Sequence, residues 1–206
     1  NFDTTQPISI GTLNFVQGNI LGADTLTIHD SFTWGSGASF NAGGPVTCLA
    51  DSTVVASSSQ RTLARDFNNS GHATFLGSIA LSNSTYTNMP SGTLEFPNDG
   101  PGFSLSTSAT LQNDGTIIKS AGAGVNPIHT HFRNAGLLKV MSGAIEFYGG
   151  SGLTYIQTAG QILLDGGDIN LTFDAVLQLQ GGVLAGHGTV AGEIINTGGT
   201  ISPGLS

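Results

Sequence analysis

The sequence predicts an all-β, single-stranded parallel β-helix, a β-solenoid of roughly nine or ten coils of about 20 residues, with residues 1–206 forming one module. Three observations predict it. Short runs of alternating strand formers recur along the whole chain, and an asparagine motif returns at intervals of about 20 residues. Glycine separates the runs, with 31 copies in the chain, while charged residues make up only 9%.

The strand runs, in order, are "TLTI" (25–28), "SFTW" (31–34), "TLEF" (93–96), "SLST" (104–107), "TIIK" (116–119), "LLKV" (137–140), "AIEF" (144–147) and "INLTF" (169–173). Side chains alternate across a strand, so each run sends one set inward and one outward. A helical period of 3.6 is not sustained beyond about ten residues anywhere. The nearest candidate is "SSSQRTLARDF" (57–67).

The asparagine motif sets the period. In "FNNSG" (67–71), "LQNDG" (111–115) and "FRNAG" (132–136) an apolar residue, Phe67, Leu111 or Phe132, stands two before an Asn and a Gly two after it, and "IINTG" (194–198) aligns with them as a looser copy. "YTNMPSG" keeps Tyr86 and Asn88 but delays the glycine to Gly92, and "IQTAGQILL" (156–164) carries Thr158 in the Asn place. The series Asn69, Asn88, Asn113, Asn134 and Asn196 reads as a ladder, because an amide both donates to and accepts from the amide of the next coil. Asn tolerates a left-handed corner, and the following glycine offers a positive φ at no steric cost. "SGTLEF" (91–96) and "SGAIEF" (142–147) form a second repeat, which gives Glu95 and Glu146 equivalent places.

Composition excludes several classes. Five basic residues, Arg61, Arg65, Lys119, Arg133 and Lys139, face thirteen acidic ones for a net charge of −8, so neither nucleic acid nor an anionic membrane surface is a fitting partner. No run of about 18 apolar residues predicts a membrane helix. The single cysteine, Cys48, rules out an internal disulfide and reads as a small buried residue. The opening Asn1, the absence of a leader-like segment and the absence of polar caps at either end lead to the expectation of a piece of a longer chain, or of ends covered by neighbouring copies.

"SSSQRTLARDFNNSGHATFLG", "LQNDGTIIKSAGAGVNPIHTHFRNAGLLKVMSGAIEFYGG" and "GGVLAGHGTVAGEIINTGGTISPGLS" resemble the repetitive passenger regions of very large bacterial surface and secreted proteins, similar to autotransporter and haemagglutinin-like adhesins. The resemblance spans roughly residues 20–206. It implies a right-handed parallel β-helix, export to the cell surface or extracellular matrix, and a structural or adhesive role. The implied partners are other copies of the chain, flanking solenoid repeats or surface glycans. It carries over no catalytic residue.

Four other groupings offer chemistry. His129 and His131 in "IHTH" share one side of a strand and could ligate a metal if a neighbouring coil supplied a carboxylate. Asp165 and Asp168 in "LDGGDIN" could hold calcium, although the repeated aspartate nonapeptide is absent. Glu95 and Glu146 could pair across coils in a polysaccharide-degrading site, but the five basic residues do not gather beside acids in any motif. Trp34, Tyr86, Tyr148 and Tyr155 could stack on sugar rings, with Trp34 and Tyr148 the foremost. The Thr-X-Thr of "TLT" (25–27) does not recur, which argues against an ice-binding face. No motif asks for a cofactor.

Overall fold

The computed structural model describes residues 2–49, 51–54, 61–150 and 152–204. These residues form strands and turns without a helix, and the strands stack in parallel as a β-solenoid of about nine turns. The first two coils are unbroken ribbons, Ile8–Gly22 and Leu26–Gly43, that bend round all three faces. Later coils break into one short strand per face at many corners. The third coil, for example, comprises Val46–Cys48, Asp51–Val54 and Arg61–Leu63. Residues 57–60 of the helix-like stretch lie outside the described residues, while Arg61–Leu63 and Phe67–Asn69 are strands.

Short strands with one buried side need a buried neighbour above and below, and the registers supply it. On the first face Leu26, Val46, Phe67, Tyr86, Leu111, Phe132, Tyr155 and Leu177 stack in one inward column. Phe67 and Tyr86 lie nearly flat on each other, 5.2 Å apart at 14°. Each such fully buried side chain contributes about 1.5–3 kcal/mol relative to exposure.

Two residues further along each strand runs the second inward column: Ile28, Cys48, Asn69, Asn88, Asn113, Asn134, Gln157, Leu179 and Asn196. Its middle is the amide ladder. Asn69 donates Nδ2–H to Asn88 Oδ1 at 2.9 Å, Asn88 to Asn113 Oδ1 at 2.8 Å, Asn113 to Asn134 Oδ1 at 2.6 Å, and Asn134 to Gln157 Oε1 at 2.5 Å. The rungs are 19, 25, 21 and 23 residues apart, which is the length of each coil. Each amide also donates to main-chain carbonyls at the next corner, as Asn88 does to Thr116 O at 2.9 Å.

The ladder corrects three expectations. Gln157, not Thr158, is its fifth rung, and Thr158 instead bonds to Asn134 O at the corner. Asn196 stands in the column but beyond Leu179, so it is cut off from the ladder, and its exposed side chain bonds Gly198 and Gly199 within its own turn. The ladder asparagines lie within extended strands, and the glycines that follow them are not among those with positive φ. Gly115 and Gly136 are required for close approach, since a Cβ on either would overlap a carbonyl oxygen of the coil beside it.

Three of the five basic residues are also inside. Arg61 stands in register with Ile79 on the third face and donates Nε–H to Trp34 O at 3.0 Å. Arg65 sits at the corner leading to the first face. Its guanidinium donates to Ile20 O in the first coil, to Asn41 O at 2.6 Å and to Gly44 O in the turn after the second coil. Burial lowers the pKa of both guanidinium groups from their ordinary value, and neither loses its charge near neutrality.

Asn113→Leu is expected to cost about 1–3 kcal/mol in denaturant unfolding, because Asn134 Oδ1 and Leu137 O each lose a buried donor. Asn196→Leu, outside the ladder, is expected to change stability by less than about 0.5 kcal/mol. Arg65→Met removes a clamp across three coils. Hydrogen exchange should show faster opening of residues 8–48, with residues 132–179 unchanged.

Candidate functional site

Functional side chains on a solenoid must come from the outward positions, so the alternation that builds the interior also fixes the candidates. On the third face these run through three adjacent coils. His129 lies in strand Val125–Asn134, Glu146 and Tyr148 in strand Ala144–Tyr148, and Phe173 just past strand Asp168–Thr172. His129 Nε2 and Glu146 Oε1 are 2.8 Å apart. The Tyr148 ring lies 5.4 Å from the His129 ring and 4.7 Å from the Phe173 ring, giving a three-ring strip along the rod.

Phe173 is 70% exposed and was not singled out by its sequence position. Its backbone and that of Asp174 occupy the left-handed region, with φ of 51° and 61°. Two consecutive non-glycine residues in that region cost on the order of 1–3 kcal/mol each. The corner thus holds a large apolar ring outward. Below it, Tyr155 donates its hydroxyl to Tyr148 O at 2.6 Å and accepts from Tyr148 N–H at 3.0 Å, so a buried phenol fixes the backbone that carries Tyr148. Burial pushes the Tyr155 phenol well above its ordinary pKa, and it stays protonated.

The other aromatic candidates are interior. Trp34 is 1% exposed, donates its indole N–H to Ala38 O at 3.0 Å and packs edge-on against Phe40. It is a core residue and presents no face to a glycan. Tyr86 and Tyr155 are likewise buried.

The paired histidines diverge at a corner. Thr130 turns inward between them and donates to Ala109 O at 2.6 Å. His129 belongs to the third face, whereas His131 is in register with Thr110 on the first. Thr154 N–H donates to His131 Nδ1 at 3.2 Å, and Nε2 lies 3.3 Å from Thr107 O. Both ring nitrogens are therefore occupied by the neighbouring coils. Asp165 pairs with Lys139 at 2.8 Å, and Asp168 accepts the Thr189 N–H at 2.6 Å. Among the described residues no cluster of three or more His, Cys, Asp or Glu side chains is placed to hold a metal ion.

Glu95 and Glu146, despite their matching hexapeptides, lie on different faces. Glu95 is in register with Thr74 and Ile118 on the second face, bonded to His72 at 2.8 Å and to the Ser120 hydroxyl at 2.5 Å. Glu146 is in register with Pro127 and Asn170 on the third. The repeat steps on by a face as well as by coils, so it does not put the two carboxylates together. Arg133 is exposed on the first face.

At the far end of the rod, Leu164, Leu184, Val190, Ile194, Ile201 and Pro203 line an open apolar hollow of about 160 Å³. No family model, curated protein or solved structure matches the chain.

Three carboxylates are held below their ordinary pKa of 3.8: Asp24 by hydrogen bonds from Thr4, Asp99 by the Lys119 ammonium, and Asp165 by that of Lys139. A depressed folded-state value stabilises the protein above 3.8, and that stability is lost as pH falls through the folded values. Denaturant midpoints are therefore expected to stay level near neutrality and to fall below about pH 4. Asp165→Asn should flatten part of that fall.

Proposed function

We propose that the chain is a structural or adhesive module of an exported bacterial surface or extracellular matrix protein, acting as a stiff spacer that displays its outward loops and joining other copies or flanking solenoid repeats into fibres. One observation carries the reading. The titratable side chains that could do chemistry are engaged between adjacent coils: His72 with Glu95, His129 with Glu146, Lys139 with Asp165, and Asp168 with the Thr189 N–H. Such pairs brace a rod, and they do not converge on a cleft where a glycosidic bond would need an acid and a base on opposite sides. About nine coils at ~4.8 Å give a rod about 45 Å long, suited to a repeated module. The likeness to adhesin passenger regions supports the same role.

The experiment is a pair of assays on the intact chain. Particles coated with it should bind host or bacterial matrix surfaces, and a screen of polysaccharides should show no change in chain length. Depolymerisation that disappears in Glu146→Gln would overturn the reading in favour of a polysaccharide-degrading enzyme.

A second reading, carbohydrate binding, is favoured by the strip of His129, Tyr148 and Phe173. Aromatic faces receive the apolar side of a sugar ring, and Glu146 beside them can accept its hydroxyls. Phe173→Ala is expected to weaken glycan binding about tenfold, equivalent to about 1.4 kcal/mol. An unchanged glycan-array profile would remove this reading.

A further inference from the structure

Lys119 stands where an apolar residue belongs. In its inward column it lies in register with Phe96 on one side and Val140 on the other, and its side chain is fully buried. Its ammonium contacts three oxygens: Asn126 Oδ1 at 2.6 Å, Asp99 Oδ1 at 2.9 Å and Ala121 O at 3.1 Å. Asn126 is also fully buried, and its amide nitrogen is held between Asn98 O at 2.8 Å and Pro101 O at 2.6 Å. A buried primary amine, a carboxamide carbon one bond beyond the oxygen it touches, and a carboxylate on the same amine are the three components of an acyl transfer from amide to amine.

We propose that Lys119 and Asn126 form an intramolecular isopeptide bond, with Asp99 as the proton carrier. Lys119 gives one ammonium proton to the Asp99 carboxylate, and the lone pair exposed on Nζ attacks Asn126 Cγ to form the Nζ–Cγ bond. As the tetrahedral adduct collapses, the Cγ–Nδ2 bond breaks. The departing nitrogen takes one further proton from Nζ and the proton that Asp99 held, so it leaves as one ammonium ion carrying the charge Lys119 began with. Asp99 returns to a carboxylate. No oxidant or added reactant is needed. The Asn98 and Pro101 carbonyls already accept from the nitrogen that departs, and the Gly122 and Gly124 backbone closes on Asp99, where a Cβ would overlap the carboxylate. Pro127 follows Asn126 and has no N–H, so the usual ring closure of Asn onto the next backbone nitrogen does not compete.

The test is the intact mass of the purified chain after incubation at neutral pH, followed by trypsin digestion. The proposal requires a mass lower than that of the sequence by one NH3. It also requires one tryptic fragment covering residues 66–133 that lacks the same NH3, because acylated Lys119 resists cleavage. Asp99→Asn and Asp99→Ala, checked for retained β-structure by circular dichroism, should keep the NH3 and release separate fragments 66–119 and 120–133. The full sequence mass with those separate fragments in the unsubstituted chain would overturn the bond. A cross-link that persists in both Asp99 variants would overturn the role of Asp99.

Discussion

The register between neighbouring coils is the constraint on which the rest of this molecule depends. Each coil is too short to bury its own inward side chains and leaves its backbone N–H and C=O groups unpaired until the next coil arrives. A slip of one residue would send every inward side chain outward. The amide ladder from Asn69 to Gln157 opposes such a slip in a way that apolar columns cannot. An apolar column tolerates any apolar neighbour, whereas a buried amide one position out of place faces hydrocarbon with its donor and acceptor unmet. Leu179 ends this mechanism, and beyond it the coils keep their backbone pairing without a buried amide to fix it, with Ile195 and Ile201 about half exposed.

The period and fold class were legible because backbone pairing forces equal residues onto equal places, and Asn at an inward place is rare enough to be counted. The face on which a motif lands was less legible. With three faces per coil, "SGTLEF" and "SGAIEF" each satisfy a strand followed by a corner, yet one lies on the second face and the other on the third. The sugar-stacking expectation for Trp34 overlooked the strand pattern, because in "SFTW" it shares parity with buried Phe32. The same parity in "TIIK" places Lys119 with buried Ile117. Phe173 left no such signal, since its exposure comes from a left-handed corner that the side chain itself does not favour.

Few charges are present, and the interior takes a large part of the positive ones. Arg61 and Arg65 place their guanidinium groups on main-chain carbonyls of other coils, Trp34 O for Arg61 and Ile20 O, Asn41 O and Gly44 O for Arg65. Their donors meet oxygens from more than one coil, so they tie turns together at the end of the rod where the amide ladder is missing. Lys119 and Asn126 do comparable work at another corner, where Lys119 holds Asp99 and the Asn126 amide holds Asn98 O and Pro101 O against the rod. Outward chemistry is mostly confined to pairs that also link coils, leaving Phe173 and Tyr148 as the large rings turned to solvent.

Amide hydrogen exchange resolved coil by coil tests most directly whether the ladder sets the register. The account predicts strongest protection in the strands from Phe67–Asn69 to Tyr155–Gln157, falling through Val176–Leu179 to near-unprotected Glu193–Asn196 and Thr200–Pro203. Uniform protection along the rod, or a maximum in the coils beyond Leu179, would contradict it.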